Sequence, residues 1–165
     1  MRHIKLFTLL LCMTLALPTM AQKGQRYGNR QRTQQRTTQS QALTPAERRV
    51  LGRHMISLQW ISWDYFGSVN ITKEADGRLH CVGGQESREN DDYLRIDGYI
   101  TIVDADHLIF NGQIRTKVSY LFNGDECLRD GQYDFVTKEG RKYWRMQQTE
   151  NCESSTDYID IYYRK

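Results

Sequence analysis

From Met55 onward apolar and polar residues alternate with a period of two, rich in β-branched and aromatic side chains and broken at short intervals by Gly, Asn and Asp. That pattern predicts a meander of short antiparallel strands and no further helix. The expected strands are Ile56 to Trp63, Gly67 to Lys73, Arg78 to Val82, Tyr93 to Asp97, Tyr99 to Val103, Leu108 to Phe122, Gln132 to Lys138, Arg141 to Gln147 and Tyr158 to Tyr163. The clearest alternation runs Leu108, Phe110, Gly112, Ile114, Thr116, Val118, Tyr120, Phe122. Asn111-Gly112 is a hairpin signal in its own right. Because the alternation keeps its phase through the glycine, a long bent strand with Gly112 at a bulge or corner is expected instead. Just before this region Thr44-Pro45-Ala46-Glu47 has the form of a capping box with proline at the first helical position. It predicts a short helix from Pro45 to about Arg53, with Val50 and Leu51 toward the domain.

The C-terminal hairpin allows a finer expectation. Glu139-Gly140 reads as a two-residue turn closing Lys138 against Arg141. Phe135 then faces Trp144 and Tyr133 faces Met146 on an apolar side, while Asp134 faces Arg145 as an ion pair on the other. Continued outward, the same register sets Cys127 opposite Cys152 at a non-hydrogen-bonded position, where opposed Cβ atoms are closest. A Cys127–Cys152 disulfide is therefore expected, leaving Cys81 as a buried free thiol.

Many short antiparallel strands with one small helix suit a mainly β fold, a small closed barrel of the lipocalin or calycin type, with a two-sheet β-sandwich as the alternative. The likeness to lipocalins is one of architecture alone, because Leu58 stands where their Gly-x-Trp signature has glycine, in Leu58-Gln59-Trp60.

The beginning of the chain changes the picture of where this domain works. A basic start, an apolar run from Leu6 to Leu17 and small residues at Thr19 and Ala21 read as a signal peptide over residues 1–21, cut before Gln22. Residues 22–43 are Gln, Arg and Thr with almost nothing apolar, a disordered basic leader. The single β-rich domain then spans 44–165. The formal charge of +3 hides an asymmetry: residues 1–43 hold seven Lys or Arg and no acid, so 16 bases face all 20 acids in residues 44–165, a net charge of −4. The basic pI belongs to the leader and signal, and gives no ground for a nucleic-acid partner. No transmembrane segment is expected, the apolar run being too short for a bilayer core. Export to the periplasm or the medium would let a disulfide persist.

Four stretches carry a resemblance: Gly112-Gln113-Ile114-Arg115-Thr116-Lys117-Val118, Cys127-Leu128-Arg129-Asp130-Gly131, Arg141-Lys142-Tyr143-Trp144-Arg145 and Asp157-Tyr158-Ile159-Asp160-Ile161-Tyr162. Over the last part of the chain they resemble a set of small exported bacterial proteins without an assigned activity. The resemblance implies an exported bacterial domain and supplies no catalytic residue.

Chemistry is sparsely signalled. The G-x-S-x-G elbow, H-E-x-x-H, a phosphate loop, a dinucleotide fingerprint and C-x-x-C are all absent. His54, His80 and His107 read as solvent-facing or turn residues, and the acidic runs Glu86 to Asp92 and Asp104 to Asp106 as turn chemistry. Asp157 and Asp160, three apart on a strand, fall on opposite faces. No catalytic residue, metal ligand or cofactor is expected. Aromatic content stands out instead, with ten Tyr, three Trp and five Phe. The first reading is a non-enzymatic domain holding a small amphipathic molecule or a glycan in the mouth of the barrel, lined by Trp60, Tyr120 and Trp144. The alternative is a structural or protein-interaction domain of the cell envelope with a filled core, working through its outer face at Tyr143 and Arg145 and through the basic leader. A hydrolase with a site assembled across strands is the third.

Overall fold

The computed structural model describes residues 42–164; the expected signal peptide and almost all of the expected leader lie outside them. Helix α1, Pro45–Val50, starts as its sequence dictates: the Thr44 hydroxyl accepts from the Glu47 amide, and the Glu47 carboxylate accepts from the Thr44 amide. The Lys73 ammonium beside Glu47, with these cap bonds, lowers its carboxyl to about 2. The helix ends before the expected Arg53, because Gly52, at φ +113, turns the chain into the first strand. Val50 is fully buried and Leu51 packs against the same core.

Eight strands follow: β1 (Gly52–Leu58), β2 (Gly67–Lys73), β3 (Leu79–Glu86), β4 (Tyr93–Ile102), β5 (His107–Lys117), β6 (Glu126–Val136), β7 (Tyr143–Met146) and β8 (Ile159–Tyr162). Each pairs antiparallel with the next, and β8 closes on β1, so the fold is an up-and-down closed barrel. The sandwich alternative is thereby set aside. Up-and-down connectivity puts the loops 59–66, 87–92, 118–125 and 147–158 at one end, and α1 with the shorter connections at the other.

Several boundaries differ from those expected, each for a local reason. β1 begins early, because pairing with β2 starts at Gly52↔Ile71, and ends early, since the Ile61 and Ser62 amides turn back onto the Leu58 carbonyl. The two strands expected on either side of Gly98 are one strand. β5 stops at Lys117 instead of Phe122, because the buried Asp92 carboxylate captures the Ser119 amide and hydroxyl, at 2.8 and 3.2 Å. Gly112 is no bulge: pairing runs without offset through Gly98, Gly112 and Gly131 on neighbouring strands. Its need for glycine is close approach, since a Cβ there would lie 2.5 Å from the Gly98 Cα.

The hairpin register is shifted as well. The turn at Glu139-Gly140 forms, with the Arg141 amide donating to the Lys138 carbonyl. Thr137 and Lys142 are then claimed by other segments, through bonds to the Asp106 carbonyl and from the Tyr163 amide. The ladder therefore opens at Val136↔Arg145 and Phe135↔Met146. Trp144 faces Ile161 on β8 rather than Phe135, and Arg145 faces Asp160 rather than Asp134.

Alternation fills the barrel from every wall. Ile56, Leu58, Ile71, Leu94, Ile96, Leu108, Phe110, Ile114, Phe135, Trp144, Met146 and Ile159 are fully buried inside it. Cys81 is among these residues, a free thiol that burial pushes up to about 12.

Candidate functional site

Of the three residues expected to line a barrel mouth, Trp60 and Tyr120 come together and Trp144 lies apart from them. Trp144 is fully buried in the core toward the α1 end, edge-on to His54 and Tyr163 and donating to the Ala105 carbonyl. Trp60 and Tyr120 sit at the long-loop end and meet each other edge to face, at 6.2 Å between ring centroids. The Tyr120 hydroxyl donates to the Trp60 carbonyl and the ring is 64% exposed. The Trp60 indole donates to Asp157 at 2.9 Å.

Asp157 anchors that end, an assignment the sequence reading missed. Its carboxylate also accepts from Arg129, at 2.7 Å, and from Asn151. Arg129 is on β6 with the parity of Cys127, Tyr133 and Phe135, so it points inward and reaches the carboxylate across the top of the core, donating also to the Glu150 carbonyl. A buried charge of this kind is retained only when paired and hydrogen-bonded. The network pins the 147–158 loop over the barrel. Asp157 and Asp160 do not share a strand as expected: Asp160 is on β8, Asp157 lies before it in the 147–158 loop, and each finds an arginine from a different strand.

Asp160 faces the outer wall and meets Arg145 in a two-pronged bond, Nε to Oδ1 and Nη2 to Oδ2, both at 2.7 Å. The aspartate is almost completely buried although it points outward, because the Arg145 guanidinium lies over it between Tyr143 and Tyr158. Burial raises the Asp160 carboxyl above its ordinary value, against the lowering by Arg145. The bond to Asp160 in turn raises Arg145. Tyr143 meets Tyr162 at a tilt, and Tyr162 meets Phe66 edge-on, at centroid distances of 5.3 and 4.9 Å. Tyr143 and Arg145 thus belong to one aromatic strip on the outer wall, whose guanidinium is held in place by a buried carboxylate.

Asp134, expected to pair with Arg145, instead bonds His107 and Gln148, both at 2.7 Å, and His107 holds its carboxyl below the ordinary value. His80 bonds Asp97 at 2.7 Å. Both pairs lie on the outer wall, outside any enclosed pocket. His54 is not the solvent-facing residue expected: it is buried, with its ring nitrogens on the Val50 and Tyr162 carbonyls. The acidic runs are turns, as Ser87, Asn90 and Asp104 side chains accept from amides within them.

Cys127 and Cys152 are bonded, with Sγ atoms 2.04 Å apart. The bond does not continue the hairpin ladder; Cys152 reaches β6 from the 147–158 loop. A disulfide fits a protein that folds outside the reducing cytosol. Among the described residues no helix is long and apolar enough to cross a membrane. A partly open hollow beside the disulfide, lined by Thr116 and Leu121, has room for about 10 Å³, one water. The larger concavities are open and external, such as one of about 640 Å³ over Val82, Gly84, Arg95 and Arg115.

A model of the PM1083 family matches residues 30–163. The chain belongs to that family. The uncharacterized protein PM1083 of Pasteurella multocida (strain Pm70) is 40% identical over 131 residues, covering 76% of this chain and 84% of that protein. No solved structure matches. Membership agrees with the resemblance to bacterial proteins without an assigned activity, and brings no activity with it.

Proposed function

We propose that this protein is an exported, non-enzymatic interaction domain, periplasmic or extracellular, that docks on another protein of the cell envelope. The barrel is a solid scaffold, and the working surface is the outer wall around Tyr143 and Arg145. One observation carries this reading: the interior is filled by Trp144, Phe110 and Phe135, while Tyr143, Tyr158, Tyr162 and Arg145 are held in a fixed array outside. Aromatic and arginine side chains, pre-ordered by a buried partner, are what interface hot spots are made of. An amphipathic ligand in the barrel would instead need a cavity of several hundred Å³. The experiment is crosslinking in intact cells through a photoreactive group at exposed Arg141, beside Tyr143. A discrete protein adduct is expected, lost in the Tyr143→Ser and Tyr158→Ser variants. Absence of any adduct in cells that export the folded protein would refute the assignment.

A second reading, glycan stacking at the long-loop end, rests on the exposure of Tyr120 and of Trp63. A glycan array separates the two, since binding abolished by Tyr120→Ala and untouched by Tyr143→Ser would favour the glycan.

A further inference from the structure

β6 is paired with β5 along its whole length, Glu126–Val136. On its other side only Phe135 and Val136 pair with the short β7. The direction of the remaining backbone groups is fixed by two bonds. The Thr137 amide donates toward β5, to the Asp106 carbonyl, whereas the Asp134 carbonyl accepts from the Gln147 amide on the β7 side. Groups alternate along a strand, so the amides and carbonyls of Gln132, Asp130 and Leu128 point to the β7 side. Among the described residues nothing bonds them there. Leu128 is 47% exposed, and Asp130 and Gln132 are exposed too. The 147–158 loop borders this opening, tied at one margin by Cys152 to Cys127 and at the other by Gln148 to Asp134. The barrel wall therefore has a notch the length of a short strand.

Free edges are normally blunted by proline, lysine or a bulge. Leu128-Arg129-Asp130-Gly131-Gln132 lacks proline and lysine, and its register with β5 has no offset; the inward charge of Arg129, another such device, is neutralised by Asp157 at 2.7 Å, which leaves the outward charge of Asp130 to govern what can pair here. We propose that the notch receives an extended, Lys- or Arg-bearing segment of a partner protein, which adds as a strand in line with β7 and antiparallel to β6. This names the docking mode of the interaction domain and rests on that reading. An added strand would continue the row of Tyr143 and Arg145. A basic segment is selected by Asp130, which points outward and among the described residues is met only by the Gln113 amide at 3.0 Å, and by the net charge of −4 on residues 44–165. A second copy does not suit, because the antiparallel register that pairs all three residues sets Asp130 against Asp130, and like charges directly opposed are unfavourable.

The test is amide exchange by NMR on the oxidised protein lacking residues 1–21, free and with a capped peptide Thr-Lys-Val-Arg-Thr-Lys-Val or its counterpart with Glu at every basic position. In the free protein the amides of Leu128, Asp130 and Gln132 should exchange fast and those of Cys127, Arg129 and Gly131 slowly. The basic peptide should slow the first set and leave the second unchanged. Gln132→Pro removes an edge donor without touching the β5 ladder, a position where proline is tolerated, and Asp130→Lys reverses the outward charge. Each should weaken peptide binding about tenfold, the worth of one hydrogen bond or charge pair, and the Glu peptide should bind correspondingly worse. Protection of the three amides in the free protein, equal binding of the two peptides, no slowing by the basic peptide, or dimerisation through this edge would each overturn the proposal. A cellular adduct that survives Gln132→Pro and Asp130→Lys but disappears in Tyr143→Ser would leave the outer wall as the docking face and refute the edge alone.

Discussion

Replacing Cys152 by serine gives a quantitative test of how the 147–158 loop is held. Cys152 is exposed whereas Cys127 is buried, so Cys152→Ser removes the bond with little change in packing. The bridge spans a sequence separation of 25, for which the chain-entropy relation gives about 3.5 kcal/mol of stability through restriction of the unfolded chain. At roughly 4 °C per kcal/mol for a domain of this size, the midpoint should fall by roughly 14 °C. Guanidinium unfolding followed by circular dichroism, beside a thermal melt, measures both quantities. The denaturant dependence should steepen, because the uncrosslinked unfolded chain exposes more surface. Wild-type protein in reductant should match the variant, and reductant should leave the variant unchanged. Cys81 should stay unreactive in the folded state throughout, being buried with its thiol pushed up to about 12. The native loop keeps its Arg129–Asp157 and Gln148–Asp134 ties in the variant, so the loss should come from the unfolded chain. A loss below about 1 kcal/mol in protein whose bridge is verified by peptide mapping would show that restriction of the unfolded chain is not what the bond contributes.

Three further outcomes are expected. Trp144→Ala should cost about 3–5 kcal/mol in urea unfolding, since the ring is fully buried against His54 of β1, Ile161 of β8 and Tyr163. Gly112→Ala should cost about 3 kcal/mol or prevent folding, measured by soluble yield and melting, because its Cβ would lie 2.4 Å from the Asp97 carbonyl oxygen. Asp134 has its carboxyl lowered from 3.8 by His107 and then by Gln148. It contributes stability that is present above the unfolded value and lost as pH falls through the lower folded value. Asp134→Asn should therefore flatten the loss of stability below about pH 4, seen in melts taken from pH 6 downward. A parallel acid profile in variant and wild type would refute that assignment.

Period-two alternation by itself determined that the domain is mainly β and which residues of β5 point inward. The capping box set the start of α1, because all of its bonds lie within four consecutive residues. Glu139-Gly140 located its turn for the same reason. What lay beyond reach was register and partnership. Whether Arg145 meets Asp134 or Asp160 depends on Thr137 and Lys142 being drawn to Asp106 and Tyr163, contacts made across other strands. The disulfide was legible as a pair of cysteines, yet it forms from a loop folding back over β6, not from the ladder that suggested it. Trp60, Tyr120 and Trp144 read alike as aromatics on or beside strands. Closure of the barrel alone made Trp144 core and left the other two at the rim. The unpaired edge at Leu128–Gln132 has no trace in the sequence, because it is set by where β7 ends relative to β6, and a strand's own residues do not state the length of its neighbour.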